Sequence, residues 1–207
     1  MKQILCYGDS NTWGYDPTTQ GRYAWGVRWT SRVQEALGAQ NVRILEEGLC
    51  GRTTAFDDPA REWRSGLRAP PLILETHRPI DGAVLMLGTN DCKTCYGVDA
   101  PQIAEGLGRC IDVLLGDVPA DRLLVVAPPL LGEDVWLPQC DPQFDRASVG
   151  LSRRLLPAYR EIARQKGVCL IAASDFAKAE AFDCEHLTAQ GHAALAEAIS
   201  AILREWV

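Results

Sequence analysis

The sequence predicts an α/β protein with a three-layer α/β/α, flavodoxin-like fold built on a five-stranded parallel sheet. Five short apolar runs recur along the chain, and longer segments with helical periodicity separate them. Strands that alternate with helices favour a parallel sheet covered on both faces. With 207 residues, 47% of them apolar, the chain can fill one core but falls short of two comfortable domains. We therefore expect a single domain over residues 1–207.

The elements follow from this alternation. Strands are predicted at about residues 2–7, 42–46, 82–87, 122–127 and 168–172. Apolar residues at helical spacing predict helices at 27–37, 67–77, 100–115, 145–166 and 188–206. Pro157 falls inside the fourth helix and is expected to bend or interrupt it.

Charge and hydropathy bear on partners and location. The net charge of −6, from 27 acidic and 21 basic residues, argues against nucleic acid or an anionic membrane surface as a partner. No apolar run approaches the roughly 20 residues of a membrane-spanning helix. The first strand follows Met1 and Lys2 without a signal-peptide pattern, so a cytoplasmic protein is expected.

Eight cysteines are many for this length, but several stand in apolar runs as small hydrophobic residues do. Cys92 and Cys95 have the spacing of half a zinc or redox site, yet no second pair or nearby histidine completes a ligand set. We therefore expect free thiols and no metal or other cofactor.

Ser10 follows the first predicted strand within the string Gly8-Asp9-Ser10. In open α/β sheets, ligands bind beyond the carboxyl ends of the strands. A serine hydroxyl becomes an effective nucleophile when an imidazole takes its proton and a carboxylate orients that imidazole. Asp183 and His186, three residues apart near the other end of the chain, supply both groups. These residues predict a serine hydrolase.

The chain has two further histidines that are alternative candidates for the base. His77 lies at a predicted helix end, where a cation complements the helix dipole, so a capping role is favoured. His192 follows His186 by six residues, which places it on a different helix face. A packing or surface role is favoured for His192, with a supporting hydrogen bond as the alternative.

Three loops, at 11–26, 48–66 and 128–144, are longer than typical connections and are expected to form binding walls. They carry seven aromatic residues that predict an apolar cleft for an acyl or alcohol group: Trp13, Tyr15, Tyr23, Trp25, Phe56, Trp63 and Trp136. Trp13 is the first choice for a pocket wall. The alternative is that about half of these rings only pack the loops onto the sheet.

Three longer strings resemble one known family. Residues 8–14 (GDSNTWG), 46–54 (EEGLCGRTT) and 87–93 (LGTNDCK) are similar to those of the SGNH (GDSL-type) hydrolase superfamily, in particular its bacterial arylesterase/acyltransferase branch. This resemblance implies ester hydrolysis, acyl transfer to alcohols and perhydrolysis, in which peroxide accepts the acyl group. It also implies a homo-oligomer.

The resemblance assigns roles residue by residue. Ser10 is the nucleophile, His186 the general base and then acid, and Asp183 its orienting partner. The oxyanion is held by the backbone N–H groups of Ser10 and Gly51 and by the Asn90 side chain.

Other residues around these strings receive supporting roles. Asn11 replaces the usual Leu or Ile and is assigned, with Trp13, to the substrate pocket. Asp9 and Asp91 are expected to fix turns by accepting backbone N–H groups. Arg52 is expected to pair internally with one of these carboxylates rather than with substrate.

The predicted function is a serine esterase/acyltransferase for small carboxylic esters, with a small-molecule ester and an alcohol acceptor as partners. The alternatives with the same triad are a carbohydrate O-acetyl esterase, a small thioesterase or a lysophospholipase. A non-enzymatic, flavodoxin-like anion-binding module is disfavoured because the first loop lacks a Walker-type lysine and a prompt helix start. A redox protein built on Cys92 and Cys95 is the remaining alternative.

Overall fold

A computed structural model describes all residues, 1–207. The strands are β1 (Lys2–Gly8), β2 (Tyr15–Asp16), β3 (Gly21–Arg22), β4 (Val42–Gly48), β5 (Gly82–Met86), β6 (Leu123–Ala127) and β7 (Cys169–Ala172). The helices are α1 (Ser10–Trp13), α2 (Trp29–Leu37), α3 (Pro70–His77), α4 (Ala100–Leu115), α5 (Arg146–Lys166) and α6 (Ala189–Leu203). Each predicted strand and helix is present with nearly the predicted bounds. The elements α1, β2 and β3 lie in the segment that was predicted as a loop.

The main sheet has the order β4-β1-β5-β6-β7, and every neighbouring pair is parallel. The five-stranded, flavodoxin-like prediction is therefore confirmed. The chain begins in an interior strand, and β4 and β5 pair with opposite edges of β1. This arrangement creates a topological switch point between β1 and β5, where open α/β sheets bind ligands.

The sheet is buried on both faces because its side chains alternate between two helical layers. Leu5 and Tyr7 of β1 pack with α3, α4 and α5, whereas Ile4 and Cys6 pack with α2 and α6. All residues of β5 and β6 are buried, as expected for parallel strands covered on both sides.

Helix α5 runs without a break through Pro157, so the predicted interruption is wrong. Proline removes one helical hydrogen bond, and the carbonyl left over belongs to Arg153. Both residues are on the exposed side of the helix, where solvent can satisfy that carbonyl. Buried residues on either side of the proline, including Leu151 and Tyr159, hold both halves of the helix against the core.

No helix has the length and apolarity needed to cross a membrane.

Substitution of a core leucine tests the placement of α4 against the sheet. We expect Leu107→Ala to lower the free energy of unfolding by about 2–5 kcal/mol, because truncating a fully buried leucine leaves a cavity. The matched control is Leu72→Ala on α3, since Leu72 is 70% exposed. The control is expected to change stability by less than about 0.5 kcal/mol. Denaturant unfolding measures both, and equal losses would contradict this arrangement.

Candidate active site

Ser10 lies directly beyond the carboxyl end of β1. Asp9 caps α1, and its Oδ1 accepts the N–H of Asn11 at 3.0 Å. The turn-fixing role predicted for Asp9 matches this contact. However, α1 begins at Ser10 itself, so the expectation that no helix follows promptly is wrong. The short helix places Ser10 at the switch point of the sheet.

Ser10, His186 and Asp183 form one continuous hydrogen-bonded chain. His186 Nε2 lies 2.8 Å from Ser10 Oγ, and His186 Nδ1 lies 2.6 Å from Asp183 Oδ2. Because a carboxylate accepts at Nδ1, the neutral ring carries its proton there and leaves Nε2 free to accept the proton of Ser10. The arrangement can therefore activate the serine hydroxyl.

The loop that carries His186 is shaped by the same Asp183 carboxylate. Asp183 Oδ1 accepts the backbone N–H groups of Glu185 and His186, both at 3.1 Å. Between Asp183 and Glu185, Cys184 adopts a left-handed backbone conformation with φ of 60°. The His186 ring packs against Tyr15 with ring centroids 4.4 Å apart. One side chain thus orients the imidazole and folds the turn that presents it.

Asn11 joins this loop to the Ser10 turn. Its Oδ1 accepts the N–H of Leu187 at 2.9 Å, and its Nδ2 donates to the carbonyl of Glu185 at 3.4 Å. The side chain is buried, with the residue 1% exposed, and does not line the pocket beside His186. The structure therefore places Asn11 in a positioning role that was not predicted from the sequence.

A pocket of about 210 Å³ opens beside His186. The pocket is lined mainly by polar side chains, with two aromatic rings beside them. The lining includes Gln20, Gln139, Gln143, Asp141, Asp183, Glu185, Tyr15 and Phe182. Three of these residues come from the loop at 128–144, as the expectation of a binding wall implied.

The predicted apolar cleft is not formed. Of the seven aromatic loop residues, only Tyr15 lines this pocket. Trp13 packs near Tyr15 and lies under the guanidinium of Arg22, outside the pocket. Trp25 and Trp63 are largely exposed. The aromatic loop side chains mostly pack on neighbouring groups or face solvent, which leaves amides and carboxylates around the cavity.

The groups assigned to the oxyanion site lie beyond three adjacent strands: Ser10 after β1, Gly51 after β4 and Asn90 after β5. No protein acceptor takes the backbone N–H of Ser10 or Gly51. Asn90 Nδ2 donates to the carbonyl of Arg52 at 3.1 Å, and an amide NH₂ has a second hydrogen. These donors are suited to bind a negatively charged oxygen.

Glycine is favoured at position 51, because its φ of 85° lies in the left-handed region that residues with a Cβ rarely adopt. The loop is fixed further by Asp91, which accepts the Thr54 N–H at 2.9 Å. This contact agrees with the structural role predicted for Asp91.

Arg52 does not form the predicted pair with Asp9 or Asp91. Its guanidinium donates to the backbone carbonyls of Gly8 and Glu47 and stacks over the Tyr7 ring at 4.0 Å. The two carboxylates are already engaged by backbone N–H groups of Asn11 and Thr54. Arg52 therefore ties the Gly51 loop to the ends of β1 and β4 through carbonyl oxygens.

The other two histidines lie outside the hydrogen-bonded chain. His192 is fully buried and its Nδ1 accepts the N–H of Trp29 at 3.2 Å, so a surface role is wrong. Burial lowers the pKa of His192 to about 3, which keeps it neutral. His77 ends α3 and lies 3.8 Å from the carboxylate of Glu47.

Electrostatics favours the charged form of the Asp183 and His186 pair. Burial lowers the pKa of His186, but the nearby carboxylates of Glu185 and Asp183 outweigh it and raise the pKa above its ordinary value of 6.5. For Asp183, burial alone would raise the pKa. The hydrogen bond to His186 outweighs burial, and the pKa of Asp183 falls below its ordinary value. A proton taken from Ser10 is thus stabilised on the imidazole.

No group of three or more His, Cys, Asp or Glu side chains is arranged to hold a metal ion. The eight cysteines are free thiols, with Cys92 buried and Cys95 exposed. Lys93, beside them in sequence, forms an ion pair with Asp141 at 3.1 Å.

Removing the Asn11 side chain tests its positioning role. We expect Asn11→Ala to lower kcat about tenfold with little change in KM, because two buried backbone groups lose their partner and the His186 loop loosens. Asn11→Asp keeps an acceptor for Leu187 and is expected to lie between wild type and Asn11→Ala. Asn41→Ala, at an exposed asparagine, is the control. Steady-state ester hydrolysis gives both constants, and an unchanged kcat in Asn11→Ala would contradict this role.

The pH dependence tests the electrostatics of His186. With His186 as the expected base, the neutral imidazole is the active form, so activity should be lost as pH falls through its raised pKa. We expect the acid limb of kcat/KM to have a midpoint above 6.5. Because kcat/KM reports groups of the free enzyme, two different esters should give the same midpoint. A midpoint at or below 6.5 for both esters would contradict the influence of Glu185 and Asp183.

Comparisons with known proteins bear on this site. A profile of the GDSL-like lipase/acylhydrolase family matches residues 6–194. The chain is 27% identical over 143 residues to a GDSL lipase from Mycobacterium tuberculosis, covering 65% of this chain and 55% of that protein. The chain therefore spans about half the length of this curated relative.

Solved structures are similar over the whole chain. A carbohydrate acetylesterase from Sinorhizobium meliloti is 33% identical with a TM-score of 0.89, covering 100% of both chains. An aryl esterase from M. smegmatis is 32% identical with a TM-score of 0.89, again covering 100% of both chains. With the family profile matching most of its length, the chain belongs to the GDSL-like lipase/acylhydrolase family, the SGNH hydrolases that its motifs resemble.

Proposed function

We propose that the protein is a serine esterase that removes short acyl groups from hydroxyl-rich alcohols through an acyl-enzyme. The observation that carries this proposal is the hydrogen-bonded chain of Ser10, His186 and Asp183 beside a small polar pocket. The three side chains can form an acyl-enzyme, and the pocket beside them can bind polar esters.

Ser10, His186 and Asp183 each have a defined part in the reaction. His186 Nε2 takes the proton of Ser10 as Oγ bonds to the ester carbonyl carbon, and Asp183 stabilises the resulting imidazolium. The carbonyl oxygen becomes an anion that accepts hydrogen bonds from Ser10, Gly51 and Asn90. Preorganised donors of this kind commonly contribute about 2.7–4 kcal/mol each. His186 then gives its proton to the departing alcohol, and water repeats the cycle to release the acid.

The pocket supports the choice of substrate. The amides and carboxylates that line the pocket provide partners for hydroxyl groups. The similarity to a carbohydrate acetylesterase supports the same choice. A long acyl chain has no apolar channel in this pocket, which argues against a lysophospholipase.

Acyl transfer to small alcohols or peroxide is a second proposal for the same acyl-enzyme. Ser10 and His186 are 3% and 8% exposed, so an acceptor must approach through a restricted opening. An alcohol bound there competes with water for the acyl group, and peroxide as acceptor gives a peracid. The similarity to an aryl esterase supports small esters of this kind as substrates. The homo-oligomer expected from the resemblance stays a prediction, which several exposed large apolar side chains, such as Trp63 and Phe182, support.

Replacement of the nucleophile tests the proposed function. Ser10→Ala is expected to reduce hydrolysis of aryl acetate and acetylated sugars by on the order of 10⁴-fold or more, because no other group can form the acyl-enzyme. Ser174→Ala, at a serine outside the site, serves as the matched control. In wild type, acetate esters should be cleaved faster than butyrate or longer esters.

The product distribution separates the two proposals. With alcohol added, hydrolysis alone yields only free acid, whereas acyl transfer yields a new ester. Turnover of either ester that survives in Ser10→Ala would contradict the acyl-enzyme itself. A rate that rises with acyl length would contradict the short-chain substrate class.

A further inference from the structure

Glu185 is an unusual member of the pocket wall. Its side chain is only 7% exposed, yet no N–H or O–H group of the protein donates a hydrogen bond to its carboxylate. The nearest cationic partner is His186 Nδ1 at 4.0 Å, and that nitrogen is already bonded to Asp183 at 2.6 Å. Neither oxygen is among the fully enclosed polar atoms that lack a partner, so the carboxylate is open to a hydrogen-bond donor that enters the pocket.

The position of Glu185 is fixed by its backbone. Its N–H donates to Asp183 Oδ1 at 3.1 Å, and its carbonyl accepts from Asn11 Nδ2 at 3.4 Å. Both contacts belong to the hydrogen bonds that hold His186 against Ser10. The backbone of Glu185 is therefore held in a constant relation to the reacting groups.

The other pocket carboxylates differ from Glu185 because each has a cationic partner. Asp141 pairs with Lys93 at 3.1 Å, and Asp183 pairs with His186. Glu185 thus contributes a negative charge that no lysine or arginine neutralises. A bound molecule meets this charge best with a hydrogen-bond donor, and an anionic group would be repelled.

We propose that Glu185 is a specificity-determining residue that accepts a hydrogen bond from a hydroxyl group on the alcohol part of the ester. The proposal rests on the proposed function, in which His186 Nε2 protonates the departing alcohol oxygen. One Glu185 oxygen lies 4.0 Å from the His186 ring, so the hydroxyl that it binds belongs to the part of the ester that lies beside this ring. The substrate class is accordingly the monoester of a 1,2-diol or of a sugar with a neighbouring hydroxyl.

Two esters of nearly equal size provide the test. 2-Hydroxyethyl acetate and propyl acetate differ only in a terminal hydroxyl in place of a methyl group. The ratio of their kcat/KM values cancels any general effect of a substitution on His186 or Ser10, since both esters use the same groups. We expect wild type to favour the hydroxyl ester about tenfold, in line with a hydrogen bond to a charged acceptor.

Two substitutions of Glu185 weaken its hydrogen bond to the substrate hydroxyl to different extents. Glu185→Gln keeps a neutral acceptor of the same shape and should lower the ratio partly, whereas Glu185→Met removes the acceptor and should bring the ratio near one. Glu161→Gln, a remote and exposed glutamate on α5, should keep the wild-type ratio. Thermal unfolding checks each variant. If Glu185→Met does not fold, the change in ratio of Glu185→Gln alone decides the matter.

The outcomes separate this inference from the function on which it rests. Equal ratios in wild type and Glu185→Gln, with turnover that still depends on Ser10, would overturn the role of Glu185 alone. Turnover that survives in Ser10→Ala would overturn the proposed function instead. A parallel pair, acetylcholine and its neutral analogue 3,3-dimethylbutyl acetate, distinguishes charge from hydroxyl recognition. If the Glu185 variants change only that second ratio, the carboxylate recognises cations and the proposal is overturned.

Discussion

The hydrogen bonds between the first and last parts of the chain are the constraint on which the site depends. Ser10 and His186 lie 176 residues apart in sequence, yet their side chains meet at 2.8 Å. Asn11 holds the two segments together by bonding to the backbone on both sides of His186. Its two hydrogen bonds join the turn that carries Ser10 to the loop that carries His186. A single asparagine next to Ser10 thus connects two distant parts of the sequence.

The sheet topology brings the remaining groups to the same place. Because β1 is an interior strand with β4 and β5 on either side, the loops after all three strands open at one edge of the sheet. These loops carry Ser10, Gly51 and Asn90. Asn90 and Asp91 bond to the backbone on either side of Thr53 and so cross-link two of the loops. The candidate oxyanion donors are therefore held by the same contacts that close the loops.

Much of this could be predicted from the sequence, because strands, helices and motifs are local patterns. Apolar periodicity located the five main strands and five helices, and the string around Asp183 and His186 identified the residues that meet Ser10. The pocket lining was not predictable in this way, because it depends on the direction in which loop side chains point. Composition suggested an aromatic cleft, whereas Trp25 and Trp63 are exposed and solvent-exposed glutamines form part of the pocket lining.

Roles that depend on three-dimensional neighbours were also missed. The side chain of Asn11 is adjacent to Ser10 in sequence, but its partners come from residues 185 and 187. Arg52 was expected to find a carboxylate and instead binds carbonyl groups, because hydrogen-bond competition among buried groups is settled only by the fold. The string that contains Glu185 was recognised for its Asp and His alone, and nothing in it marks a carboxylate without a donor.

The separation of Ser10 from His186 along the chain has a consequence for biosynthesis. A growing polypeptide acquires its nucleophile within the first strand and turn, but it has no base until nearly all of the domain has been translated. Helix α6 follows the His186 loop, and its His192 anchors to α2 through the backbone of Trp29. A nascent polypeptide therefore cannot bring Ser10, His186 and Asp183 together until the segment that carries His186 has been translated and folded against α2.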